Sequence, residues 1–487
     1  MRSTFFGIQT GLRGLMAQQR ALDTTGHNIA NANTPGYSRQ VTNLTTTSPY
    51  TVPSFGRPAA AGQIGTGVAA EAVERMRSAF LDDQIRNESE TLGYWAAQSE
   101  TLTQVEGILG EPSNSGLRNA LDAFWKSMQD LSLHPESMPI RAIVRQRGVE
   151  LADMIQHTYA QLSDTQKSVD QAITLKVDEI NGIARQIADL NDQISKAVGV
   201  GLQPNDLLDR RDLLVTKLSK MVNVSTFNGE NGALTVNIGG ISLVAGEQAH
   251  QLTTVPNAAN NNLVDVQWAD FTNPSPPPAL LPADVTNGEL KGMLDVRDVK
   301  LAGYMTNLND LATGLIAPGP AQSVNSRHQA GFDLTGAPGG VFFTAGSNAS
   351  NITVDAAILN GDPGLRLIAA SSTAAGVPGD GSNALSIAQL NQAKLMNGGT
   401  ATYSEFLGAM VSNLGVDSDQ AKTMETNQTT LIDHLTKQSE SIAGVSLDEE
   451  AANMMKFQHG YDAAARVITT MDEMIDVIIN RMGVVGR

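Results

Sequence analysis

Both ends of the chain carry apolar residues at steps of seven, and this repeat limits what the ends can be. Near the C-terminus the stripe is Leu447, Met454, Tyr461, Ile468, Ile475 and Met482, with Phe457, Ala464, Met471 and Ile478 three residues further on. Near the N-terminus it is Ile8, Leu15, Leu22 and Ile29, with Phe5 and Leu12 three residues before the first two. This spacing gathers apolar side chains on one helix face and makes a seam that wants another helix. Stripes at both termini predict that the ends meet and that both bind further chains. An apolar stripe is more often an ordinary bundle core. Here the seams sit at the extreme ends, where helices fray. They are also interrupted by Gln19 and Gly26 in the first, and by Gln458 and Asp472 beside the second. Neighbouring subunits would complete such seams by mass action.

The charge supports pairing of the ends. Residues 1–70 hold five basic groups and one acid, a net +4; residues 445–487 hold seven acids and four bases, a net −3. The attraction is modest and screened by salt. Over the whole chain the net charge of −17 argues against a nucleic-acid binder. There is no cysteine, which removes disulfides, thiolate metal sites and cysteine nucleophiles together. No apolar run is long enough for membrane insertion, and Met1 to Ala30 lacks the apolar core of a cleavable signal. Cytoplasmic residence and export through an uncleaved N-terminus both stay open on these grounds.

At 487 residues several domains are expected. Residues 4–30 read as one amphipathic helix. It runs into Asn28, Asn31, Asn33, Thr34, Pro35 and Gly36, and Pro35-Gly36 suits the middle of a type II turn. The boundaries predicted are a terminal helix and extended segment (1–70), a helical bundle (71–225), a β-rich domain (226–286) and a helical connection (287–316). A Gly/Ser/Asn-rich β-type outer region (317–400), a returning bundle helix (401–440) and a C-terminal coiled-coil helix (441–487) follow. Ile173, Ile180, Ile187 and Ile194 repeat at seven and mark the bundle. Leu234, Val236 and Ile238, then Gly239-Gly240, then Ile241 and Leu243 predict a hairpin. The fold class expected is mainly α with a β-rich insertion, an α+β multidomain chain. Its terminal helices pair as a coiled coil, a helical bundle lies next, and β domains lie outermost.

Chemistry-bearing motifs are missing. There is no phosphate-binding loop, no Gly-x-Ser-x-Gly and no His-Glu-x-x-His. Gly62-Gln-Ile-Gly-Thr-Gly67 lacks a strand-to-helix setting and reads as a turn. The seven histidines are scattered, so no metal site and no cofactor are expected. Asp206, Asp209 and Asp212 around Arg210 and Arg211 read as a solvated helix face with internal ion pairs. Ser446 and Glu449 fit a capping box opening the last helix. No catalytic constellation is expected, and the chain is read as a non-enzyme.

The segment Asn28-Ile-Ala-Asn-Ala-Asn-Thr-Pro-Gly-Tyr-Ser-Arg-Gln40 resembles the N-terminal motif of bacterial flagellar rod, hook and hook-associated proteins; Asn28, Asn31, Asn33, Pro35, Gly36 and Tyr37 carry it. Val445-Ser-Leu-Asp-Glu-Glu-Ala-Ala-Asn-Met-Met-Lys-Phe-Gln458, with Tyr461, Ala464-Ala-Arg-Val-Ile468 and Met471-Asp-Glu-Met-Ile475, looks like the matching C-terminal motif. Phe124-Trp125, Pro204-Asn-Asp-Leu-Leu-Asp-Arg-Arg-Asp-Leu-Leu214 and Asn325-x-x-His328-x-x-Gly331-x-Asp333-Leu334 narrow the resemblance to the flagellar hook-associated protein 1 family. That resemblance implies a structural adaptor at the hook–filament junction, exported and assembled on the hook before the filament. Another axial subunit, of hook or distal rod, is the alternative. It implies self-association in a ring or helical layer, contact with the hook protein and a second junction protein, and an export chaperone at the C-terminal segment. The terminal segments would be disordered before assembly. The ten stripe residues from Ile8 to Ile29 and from Leu447 to Met482 would form the assembly interface. The middle is short for the family, so an outer domain is expected to be reduced.

Overall fold

The computed structural model describes residues 5–49, 65–110, 116–269, 284–317, 322–344 and 346–481. Two sequence expectations fall wholly or partly outside them: the glycine turn at 62–67 and Met482.

Helix α1 (Phe6–Ala30) ends in a turn closed by Tyr37 N donating to Thr34 O at 3.1 Å. Gly36 sits there at φ +79°, as a type II turn requires. Strands β1 (Gln40–Thr46) and β2 (Val68–Arg75) pair antiparallel with Gln40 opposite Arg75. The segment read as extended therefore holds an antiparallel strand pair, and helix begins only after it. Helices α2 (Ala79–Leu109), α3 (Leu117–Leu133), α4 (Met138–Gly199) and α5 (Asn205–Met221) follow. Helix α4 has 62 residues, about 93 Å at 1.5 Å per residue. Its isoleucine stripe at 173, 180, 187 and 194 is wholly buried.

Strands β3 (Ser225–Asn228), β4 (Leu234–Ile238), β5 (Ile241–Ala245) and β6 (Gln248–Ala249) make one antiparallel sheet in that order. Gly239 and Gly240 both take positive φ, the geometry of a tight hairpin turn. Strands β7 (Leu252–Asn257) and β8 (Leu263–Trp268) form a separate hairpin. Helix α6 (Glu289–Asp295) passes through a π turn, Val296–Leu301, into α7 (Ala302–Ile316). Four short helices come next: α8 (Val324–Ala330), α9 (Ala356–Leu359), α10 (Gly361–Arg366) and α11 (Ser382–Ala388). Helices α12 (Tyr403–Ala443) and α13 (Leu447–Asp476) complete the chain. The architecture is mainly α with small antiparallel sheets.

The chain gathers into two compact units, each built from separated segments. The first takes residues 1–90, 179–251 and 428–487; the second takes 91–178 and 252–427. In the first, Ile180, Ile187 and Ile194 share the core with Val215, Leu218, Val236, Ile238 and Leu243. Asn191, fully buried on α4, fixes the sheet there. Its amide donates to Leu234 O and Gly246 O, both at 2.7 Å, and its oxygen accepts from Leu234 N and Arg211 Nη1, both at 3.0 Å. Every hydrogen-bonding site of that side chain is used, as burial demands.

The second unit concentrates the scarce aromatics. Phe124 lies 5.1 Å from Trp125, 5.5 Å from Phe342 and 5.7 Å from Phe343, ring centre to ring centre. Trp125 in turn meets Tyr403 at 5.6 Å. Residues 317–400, expected to be β-type, carry short helices and isolated bridges such as Phe343 to Val354. Side chains replace strand ladders in organising this backbone. Asn325 accepts from Phe342 N and Phe343 N at 2.9 and 2.8 Å and donates to Phe343 O at 2.8 Å. Fully buried His328 donates from Nδ1 to Gly340 O at 2.8 Å and accepts at Nε2 from Ala369 N at 2.9 Å. Those partners fix the neutral ring, and burial pushes its pKa down to about 4. The Asn-x-x-His-x-x-Gly-x-Asp motif is thus a backbone organiser.

Candidate assembly interface

Helices α1 and α13 lie antiparallel within the first unit, and the face α1 turns to its partner is made of small residues. A methyl group added at Gly7 would lie 2.7 Å from Met471 Cε, and one at Gly11 would lie 2.8 Å from Ile468 Cγ1. At Gly14 the neighbour is Ala464 Cβ, 3.6 Å away, and from the other helix Gly460 meets Gln18. Each step along one helix is matched by an equal step back along the other. Ala17 and Ala21 continue the row at 2% and 1% exposure. Backbones can approach this closely only where side chains stop at Cβ or before it.

The sequence-predicted residues fall on both sides of this seam. Met454, Tyr461, Ile468 and Ile475 are half-buried, and Ile468 packs on Gly11. Leu447 is 55% exposed, and Met482 lies outside the described residues. Ile8, Leu15, Leu22 and Ile29 are half-buried and flank the small-residue row. Larger apolar side chains stand further out: Phe5 just before α1, Leu12 and Met16 on it, and Met455, Met474 and Ile478 near the C-terminus. The row of Gly7, Gly11, Gly14, Ala17 and Ala21 was not read from the sequence. A stripe search weights large residues, whereas close helix packing needs small ones.

The Asn-rich motif closes the base of the pair. Asn28 is 1% exposed and makes four hydrogen bonds. Its amide donates to Gln40 O at 2.8 Å and to Glu450 Oε2 at 3.1 Å. Its oxygen accepts from Tyr37 OH at 2.7 Å and Gln40 N at 2.9 Å. One buried side chain thereby ties the turn, the first strand and α13 together, and leaving such an amide unpaired costs about 1–3 kcal/mol. Burial, with Asp206, Asp209 and Glu450 nearby, raises the Tyr37 pKa, so its hydroxyl keeps the proton it donates. Asn31 donates to His27 O at 3.0 Å and accepts from Thr34 Oγ1 at 3.2 Å. Asn33 and Pro35 are exposed at the turn, and Gly36 packs on Leu213, which an added methyl would approach to 3.2 Å. Arg39 N donates to Ala443 O at 2.7 Å and its guanidinium pairs with Glu449 at 2.8 Å, spanning the break between α12 and α13. Ser446 does cap α13 by accepting from Glu449 N at 3.4 Å, but the Glu449 carboxylate reaches Arg39, so the expected reciprocal half of the box is not made.

The acids of α5 also depart from expectation. Asp209 and Asp212 are 4% and 9% exposed, and their partners lie in the N-terminal segment. Ser38 donates from N and Oγ to Asp209 at 2.8 Å, and Arg75 reaches Asp209 at 2.7 Å and Asp212 at 2.9 Å. Gln40 and His27 contact Asp206 at 2.8 and 3.2 Å. Asp209 and Asp212 clamp the hairpin rather than face solvent, while Asp206 stays exposed. Among the described residues no group of His, Cys, Asp and Glu could hold a metal ion, and no helix is long and apolar enough to cross a membrane.

Comparison with known proteins agrees with this layout. Residues 8–37 match the flagella basal body rod protein family, and residues 438–482 match the C-terminal family of flagellar basal body rod FlgEFG proteins. Terminal segments of these two kinds, paired as described, define an axial protein of the bacterial flagellum. Residues 102–343 match the helical domain of flagellar hook-associated protein FlgK. The chain is 34% identical to flagellar hook-associated protein 1 of Bacillus subtilis over the whole of both. It is 29% identical to the protein of that name from Escherichia coli, over 97% of this chain and 99% of that one. The structure of the flagellar hook junction protein FlgK from Burkholderia pseudomallei matches with a TM-score of 0.64, covering 74% of this chain and all of that one at 18% identity. The chain belongs to the flagellar hook-associated protein 1 family and is a structural component of the flagellum.

Proposed function

We propose that the chain is a non-catalytic adaptor at the hook–filament junction, exported by the flagellar secretion apparatus and assembled on the hook before the filament. The observation carrying this reading is the two-sidedness of the terminal helices. Small residues consume the face they share, and large apolar residues such as Leu12, Met16, Val467 and Met474 are left 42–59% exposed. Such a surface is stabilised by neighbouring copies of the same chain stacked in a ring or helical layer. Hook protein lies on one side of that layer and a second junction protein on the other. Before assembly the same apolar face of α13 suits a chaperone that shields it. Deleting the chain should leave cells with completed hooks and no filaments, scored by electron microscopy of purified hook–basal bodies. Filaments of normal number and length would reject the junction role.

A further inference from the structure

The seam between α1 and α13 has a weakness that its own residues create. Because α1 offers Gly7, Gly11, Gly14, Ala17 and Ala21, with Gln18 against Gly460 its one long side chain in that row, it has few knobs that select one alignment. Moving α13 by one heptad would put Ile478 opposite Gly7, Ile475 opposite Gly11 and Met471 opposite Gly14. Each is again an apolar side chain against a glycine. Three positions change character: Gln18 would face Val467 in place of Gly460, Arg39 would leave Glu449 and face Lys456, and Asn28 would leave Glu450 and face Phe457; of these groups only Asn28 and Glu450 are buried. Glu450 is the one residue of α13 that is buried, at 3% exposure, and it accepts from Asn28 at 3.1 Å. We propose that the Asn28–Glu450 contact is a register pin, a positioning pair that sets the axial alignment of the two terminal helices. Affinity comes from the seam; alignment comes from the pin, as a single buried polar pair sets register in coiled coils.

The absence of native cysteine makes the test direct. Gly14→Cys with Ala464→Cys is the matched pair, since the Cβ positions lie 3.6 Å apart, within disulfide reach. Gly14→Cys with Met471→Cys is the slipped pair. Both are placed in the purified full-length chain, natively and with Glu450→Leu, which leaves the bonds of Asn28 to Gln40 and Tyr37 in place. The native background should form the matched cross-link and little of the slipped one. Glu450→Leu should raise the slipped-to-matched ratio by roughly tenfold, the factor that loss of one charge-assisted hydrogen bond produces. Glu450→Gln, which keeps an acceptor for Asn28, should restore the native ratio. An unchanged ratio in Glu450→Leu overturns the proposal. So does loss of both cross-links, which makes the contact a requirement for docking. Failure of the matched pair to form in the native background overturns it too, because there is then no alignment to set. None of these outcomes depends on where in the flagellum the chain resides.

Discussion

Two buried polar side chains, Asn28 and His328, show what single residues contribute. Both are saturated with hydrogen bonds, and both organise backbone that lacks a regular ladder. Asn28→Ala should remove about 2–3 kcal/mol of local stability. The readout is faster tryptic cleavage within α1 and α13. The tryptophan unfolding transition should not move, because Trp95, Trp125 and Trp268 all belong to the second unit. His328 gives a pH dependence of known sign. Its ring is neutral in the fold with a pKa near 4, against 6.5 when unfolded, so the unfolded chain binds the proton first. Its contribution is present above pH 6.5 and is lost as pH falls towards about 4, amounting to about 3 kcal/mol. Urea midpoints followed by tryptophan fluorescence should drop across that window, and His328→Gln should flatten the drop. The Asn-rich turn was legible in the sequence because Pro35 and Gly36 restrict local geometry. The bond of Asn28 to Glu450 was not, because Glu450 stands 422 residues away and only tertiary packing brings it near.

At the level of elements, the terminal helices separate two faces that a heptad count merges. Ile468 looks inward to Gly11, while Met455 on the same helix is 59% exposed. Ile468→Asp and Gly11→Leu should both break the intrachain pair, one by burying a charge, the other by overfilling a gap already at contact distance. Met455→Asp should leave the pair intact and block only incorporation into flagella. The matched disulfide forming in Met455→Asp but not in Ile468→Asp, with both strains non-motile, is the expected result. Helix periods and the Gly239-Gly240 hairpin were readable because spacing alone dictates them. The region 317–400 was not, since its composition signals turns without saying that Asn325, His328 and Asp333 would hold them. Nor was the burial of Asp209 and Asp212, whose arginine partners come from a hairpin distant in sequence.

Across the whole molecule, stability is unevenly spread. In α13 only Glu450 is buried, whereas in α3 Leu117, Leu121, Phe124, Trp125 and Met128 all are. Amide exchange in the isolated chain should therefore be fastest by orders of magnitude in α1 and α13 and slowest in α3 and the middle of α4. Equal protection throughout would contradict this. The division into units has a further consequence for how the chain is made. The first unit draws on residues 1–90 and on 428–487, so its opening segment is synthesised long before its closing one exists. At about 5–20 residues per second, the interval is on the order of tens of seconds. Throughout it, α1 lacks α13, the helix its small-residue face packs against. A nascent chain arranged this way leaves that face of its leading end unpaired until translation is complete, which suits the export route proposed above.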